Sequence, residues 1–297
     1  MTLKPVGTIE IPASAGSSFD HGAFDPKTRR IFVAHTGRDC IEVINHDAGR
    51  HIATLSGFPE AAGVVADDGQ VLITNRGAAS LAWLDAKTLD TQAVFQTGAR
   101  PNGVAIVARQ GLAITAAIGN DDGGAKLEVF SRDGLHRAIE LPGRPRWCVT
   151  NAAADRVYLA IREPSMVLVA RLPDLTGVEH WPLPARGAHG LDIDHRRGRL
   201  YVACDDATLV EVDSGSGAVT DQWPIAGTPD VTFFNPSTGR VHVAIGEPGV
   251  IQTIDPRTGS SEEIATGAGA HTTALAAPDR LYVFSPAHRG AIALMDA

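Results

Sequence analysis

The chain has 297 residues, 44% of them hydrophobic, and sets 26 Lys and Arg against 34 Asp and Glu for a formal net charge of −8. That balance leaves no basic footprint for nucleic acid, whose phosphates are met by clustered cations. Nothing approaches the roughly eighteen consecutive apolar residues of a membrane helix, and the leading MTLKPVGTIEIP has no long apolar stretch, so neither a span nor a signal peptide is expected and a cytoplasmic location is.

Taken in chain order, VGTIEIP (6–12) reads as a strand standing ahead of everything else. From residue 17 onward one unit returns seven times. Each copy opens with a short apolar run, such as Gly103 to Val107 or Gly190 to Ile193, and passes through a polar turn such as DPKTRR (25–30), DHRRGR (194–199) or NPSTGR (235–240). Asp, Asn, Pro and Gly at these turns suit tight hairpins. A second run follows, RIFVA (30–34), RVYLA (156–160) or RLYVA (199–203), then a third ending on a polar residue, IEVIN (41–45), LVEVD (209–213) or IALMD (292–296), and a fourth after a further turn. Such a density of β-branched and aromatic residues predicts strands, and no segment keeps a helical period.

Four short antiparallel strands in about forty residues make a β-propeller blade. The sequence therefore predicts an all-β, seven-bladed β-propeller filling residues 1–297 as one domain, with blades near 17–58, 59–98, 99–142, 143–185, 186–226, 227–267 and 268–297. The last copy stops without a fourth strand, so the N-terminal segment 3–12 is expected to complete blade seven and leave no open edge.

At one column of the repeat stand His21, Ala62, Asn102, Arg146, His189, Asp230 and His271, spaced by 41, 40, 44, 43, 41 and 41 residues. In a closed ring this column lies at the start of each innermost strand and encircles one mouth of the central channel. His189, Asp230, His271 and His21 then belong to neighbouring blades. Imidazoles and a carboxylate are ligands of Zn²⁺, Mn²⁺ or Fe²⁺ where a coordination position stays open, so His21, His189, His271 and Asp230 are the candidate metal set, with Asp230 as ligand or general base. The alternative is a hydrated polar plug. Arg146 is placed to steady developing negative charge or hold a substrate oxyanion, or else to pair with Asp230 or a rim carboxylate.

The loops after each second strand should share this face, which brings in His35, Asn75 with Arg76, Asn120 to Asp122, Arg162 with Glu163, Cys204 with Asp205, Glu247 and His288. Of these, His35, Arg162, Glu163 and His288 are candidate substrate contacts, with Asn102 from the column itself; Asn102 reads equally as a turn former and His288 as an exposed loop residue. Trp147 and Phe19 flank the column as a possible apolar wall or as core. Cys40, Cys148 and Cys204 fall in different blades without CxxC spacing, so neither a disulfide framework nor a thiolate zinc site is expected, and Cys204 reads as packing before nucleophile.

The RLYVA and LVEVD runs, with the leads RPNGVAI (100–106) and GAHGLDID (187–194), resemble the YVTN-type (YncE-like) seven-bladed propellers grouped with lactonase-like proteins. The resemblance implies the fold across the entire chain. His189 in GAHG and His271 in GAHT also resemble the metal histidines of the virginiamycin B lyases, although Gly187 and Gly269 stand where that family has acidic residues. The sequence thus points to a monomer acting on a small-molecule substrate: a metal-dependent hydrolase of a lactone, ester or phosphoester (phosphotriesters included), with a metal-dependent lyase or a non-catalytic binding propeller as alternatives.

Overall fold

A computed structural model gives the architecture and describes residues 3–121 and 123–296, the side chain of His288 excepted. Among the described residues, strands form seven four-stranded antiparallel sheets, joined only by turns, loops and short 3₁₀ turns such as Thr36–Arg38 and Ala108–Gln110. The polar turns act as expected, because their first side chain caps the turn: Asp25 accepts from the Thr28 N–H at 2.9 Å, Asp194 from Arg196 at 2.9 Å and Asn235 from Ser237 at 3.0 Å.

The first strand of each sheet packs against the first strands of its two neighbours. Pro101–Val107 lies between Ala61–Asp67 and Pro145–Thr150, and Gly22–Asp25 meets Thr272–Ala276 to close the circle. Seven apolar clusters fill the seven gaps between blades. Each joins side chains from two adjacent sheets, as where Trp83 and Leu72 of blade two meet Phe130 of blade three. Full burial of a side chain such as Phe130 contributes roughly 2–3 kcal/mol, so cohesion is spread evenly around the ring.

Blade seven is completed by the N-terminus. Lys4–Glu10 pairs antiparallel with Gly290–Met295, from Lys4 opposite Met295 to Glu10 opposite Gly290. Ile9 and Ile11 are buried in the cluster between blades seven and one. The strand supplies the partner that the last repeat lacks.

Candidate functional site at the channel mouth

The column residues interrupt their strands. Pairing with the second strand slips between Ala61 and Val64, Pro101 and Gly103, Pro145 and Cys148, Ala188 and Gly190, and Pro229 and Thr232. Ala62, Asn102, Arg146, His189 and Asp230 therefore sit in β-bulges, while His21 and His271 directly precede their first strands, Gly22–Asp25 and Thr272–Ala276. A bulge leaves its extra residue unpaired and re-aims the side chain. Glycine after the bulge draws neighbouring blades together: a Cβ on Gly103 would lie 2.3 Å from the Arg146 carbonyl oxygen, and one on Gly190 would lie 2.6 Å from that of Asp230.

Two of the three histidines are anchored by carboxylates. His189 Nδ1 lies 2.7 Å from Asp205 Oδ1, and His21 Nδ1 lies 2.5 Å from Asp20 Oδ1. Burial pushes both carboxyls up, but bonds from His189 and Arg162 outweigh it at Asp205, and His21 with Arg76 outweighs it at Asp20, so both stay below the usual carboxylate range. Ionised acceptors on Nδ1 place the proton there and fix the tautomer. The His21 ring stacks flat on Trp147 with centroids 3.8 Å apart, so Trp147 is part of this site.

Asp230 joins the anchored groups. His189 Nε2 lies 3.4 Å from Asp230 Oδ1 and His271 Nε2 lies 3.8 Å from Oδ2. Burial alone would raise the Asp230 carboxyl, but His189 outweighs it and the shift is downward. For His189, burial favours the neutral ring, yet the bonds to Asp205 and Asp230 outweigh it and the shift is upward, towards imidazolium. His271 Nε2 is 3.2 Å from the Phe19 carbonyl oxygen.

Arginines back the anchoring carboxylates. Arg162 donates Nε to Asp205 Oδ2 at 2.6 Å; Arg76 donates Nε to Asn102 Oδ1 at 3.1 Å and also reaches Asp20. Arg146 carries no ion pair with a described residue, and burial, followed by repulsion from Arg144, brings it down to about 10.

The structure thus draws His21, His189, His271, Asp230, Arg146, Asn102 and Arg162 to one mouth. His35 is elsewhere: its side chain has no exposed surface, stacks on Phe19 at 4.3 Å and bonds through Nδ1 to Glu42 Oε1 at 2.8 Å inside blade one. Glu163 is exposed beside Arg162, and the side chain of His288 lies outside the described part. Burial pushes the Cys204 thiol up to about 12, so it is protonated packing at neutral pH. Asp20 was not singled out for the site from sequence, although it adjoins a column position, whereas Trp147 was read there as apolar wall or core.

Among the described residues, the three ligand types that lie within 4.8 Å of one another are His35, Cys40 and Glu42, a buried set in blade one able to hold a metal ion. The column histidines and Asp230 do not form so tight a group. Also among the described residues, no helix is long and apolar enough to cross a membrane.

Fold and site define a seven-bladed β-propeller with a His, Asp and Arg cup at one end of its channel. No protein-family model matches the chain, and no curated protein matches it. Solved structures with the same fold include a Kuenenia stuttgartiensis hydrazine synthase, at TM-score 0.82 and 10% identity over 93% of this chain and 95% of that one. A streptogramin B lyase matches at TM-score 0.80 and 12% identity, over 99% of this chain and 97% of the other. At these identities the likeness is one of fold.

Proposed function

We propose that the channel mouth is the active site of a metal-dependent hydrolase acting on a lactone, ester or phosphoester. The observation that carries this reading is the pair of carboxylate-anchored imidazoles, Asp20–His21 and Asp205–His189, on either side of Asp230. Metal-binding histidines usually give their second ring nitrogen to a carboxylate, which sets the tautomer and strengthens the ligand.

The donor set fits a divalent ion in kind: His21, His189, His271 and Asp230 are the residues that would hold it. Such an ion supplies a more acidic bound water and polarises a carbonyl or phosphoryl oxygen. Around it, Asp205 and Asp20 would keep the rings oriented, Asp230 would serve either as a ligand or as the base that takes a proton from the attacking water, and Arg146 would donate to a negatively charged oxygen of the substrate. Coordination by His271 through Nε2 requires it to leave the Phe19 carbonyl.

A second reading rests on the bridging of His189 between Asp205 and Asp230. Held as imidazolium, His189 would protonate a leaving oxygen directly, with Asp230 as base and no metal; the same parts suit a lyase.

The test is protein purified without chelator or a nickel column, assayed for bound metal and for turnover of ester, lactone and phosphotriester substrates. Stoichiometric metal lost in His189→Ala and His271→Ala, with chelator-sensitive turnover, supports the metal reading. Chelator-insensitive turnover that disappears in His189→Ala supports the second. Absence of metal and of turnover overturns both and leaves a binding propeller.

A further inference from the structure

The arginines at the mouth are unequally satisfied. Arg162 is spent on Asp205, and Arg76 on Asp20 and Asn102. Arg100 lies 3.7 Å from Asp121. Arg144 and Arg146 flank Pro145 at the start of the first strand of blade four, and neither forms an ion pair with a described residue. The Nε–H of Arg146 is enclosed and donates to nothing among the described residues.

Arg144 is exposed and Arg146 only partly buried, but an enclosed Nε–H without an acceptor is costly, and like charges nearby add to the cost. Burial and the repulsion between Arg144, Arg146 and Arg162 act in the same direction on Arg146, against a weaker pull from Asp230 and Asp205. Both aspartates are already engaged by His189. In a chain of net charge −8, free carboxylates are abundant, so two unpaired arginines at the mouth are a local arrangement and not a reflection of composition. Their unused donors match the planar oxygens of a carboxylate or the three of a phosphate, the geometry in which guanidinium binds best.

We infer that Arg146, with Arg144, is the anchor for an oxyanion of the substrate, a carboxylate or phosphate distinct from the group that reacts at His189 and Asp230. This rests on the mouth being the substrate site, and deepens that reading: the substrate is a small anion with two functional ends. The cation side belongs to blade four and the acid–base side to blades five, six, seven and one, so one molecule spanning the mouth meets both.

The experiment is calorimetric titration at low salt with inorganic phosphate and with succinate, on metal-stripped protein, so that neither bound metal nor turnover is needed. Saturable binding that weakens at least tenfold in Arg146→Gln, weakens with added salt, and persists in Asp230→Asn is the expected result. Which probe binds more tightly assigns phosphate or carboxylate. Arg144→Gln and the charge-preserving Arg146→Lys cover the case in which Arg146→Gln unfolds: the first should weaken binding and the second should retain part of it. No saturable binding of either anion, or binding indifferent to Arg144 and Arg146, overturns the inference. Anion binding that depends on Arg146 in a protein without turnover would sustain the anchor while removing the enzymatic reading.

Discussion

Asp205 stands at the end of the second strand of blade five and holds two partners at once, His189 Nδ1 at 2.7 Å and Arg162 Nε at 2.6 Å. One carboxylate thereby ties the imidazole of the column to the cationic rim. Asp205→Asn keeps the shape but removes the charge that fixes the His189 tautomer. A 10- to 100-fold fall in turnover or metal affinity is expected, the usual cost of losing such a supporting carboxylate, with Tm within a few degrees of wild type. Steady-state kinetics beside a melting curve checks this; unchanged turnover would show that the pair is only structural.

Ring closure makes a prediction about the whole molecule. Leu3, Ile9 and Ile11 are buried, and Lys4–Glu10 covers the edge of Gly290–Met295. Deleting residues 1–12 removes these side chains and bares an unpaired strand. At about 1.5–3 kcal/mol per buried aliphatic side chain, the loss is on the order of 5 kcal/mol, equivalent to a fall in Tm of about 8 °C for a chain of this size. Exposed edges also aggregate, so light scattering should rise with the truncation. A melting curve identical to the full chain would mean that blade seven is held by its other three strands alone.

The repeat, the missing last strand and its donor were legible because strand periodicity and turn residues are local signals. The column was legible because equal spacing in a closed ring puts its members together. Its bulges were not, since slips such as Pro145 to Cys148 arise from how the second strand pairs. The anchoring of His189 by Asp205 crosses a hairpin, and that of His21 by Asp20 looks in sequence like any adjacent pair. His35 ends its second strand as Cys204 does, one residue short of the position of Asp205, and there Phe19 covers it and Glu42 holds it. Cysteine spacing gave no sign of the His35, Cys40 and Glu42 set, because its members meet only when two strands pair.

Gly103 tests whether close approach of the inner strands positions the cup. Its backbone is not in the left-handed region, so alanine meets no dihedral penalty but does meet the Arg146 carbonyl oxygen at 2.3 Å and, less tightly, the Ala116 methyl group at 3.3 Å. Blades three and four must separate to admit the methyl group. Gly103→Ala should cost about 1–3 kcal/mol, as overpacking does, and weaken phosphate or succinate binding by displacing Arg146. Melting and anion titration read the two effects; a variant equal to wild type in both would show that the strands yield without moving the site.

One layer below the column, the channel is lined by Phe24, Val65, Ile106, Val149, Phe233 and Leu275 around a cavity of about 270 Å³, with Asp192 the carboxyl among them. Its oxygens accept the N–H of Ile193 at 2.8 Å and of Phe234 at 2.7 Å. Burial still outweighs those bonds and pushes the carboxyl up to about 7 from an ordinary value of 3.8. Between these two values the folded chain holds a proton that the unfolded chain has released. Stability from this group therefore declines as pH rises from about 4 to about 7 and is flat above, by linkage on the order of 2 kcal/mol once residual hydration of the channel is allowed for. Asp192→Asn removes the titration, so the variant should lose less stability than wild type between pH 5 and pH 8 in denaturant melts at each pH. Parallel profiles for the two proteins would place the Asp192 carboxyl in ordinary water and count against a dry channel.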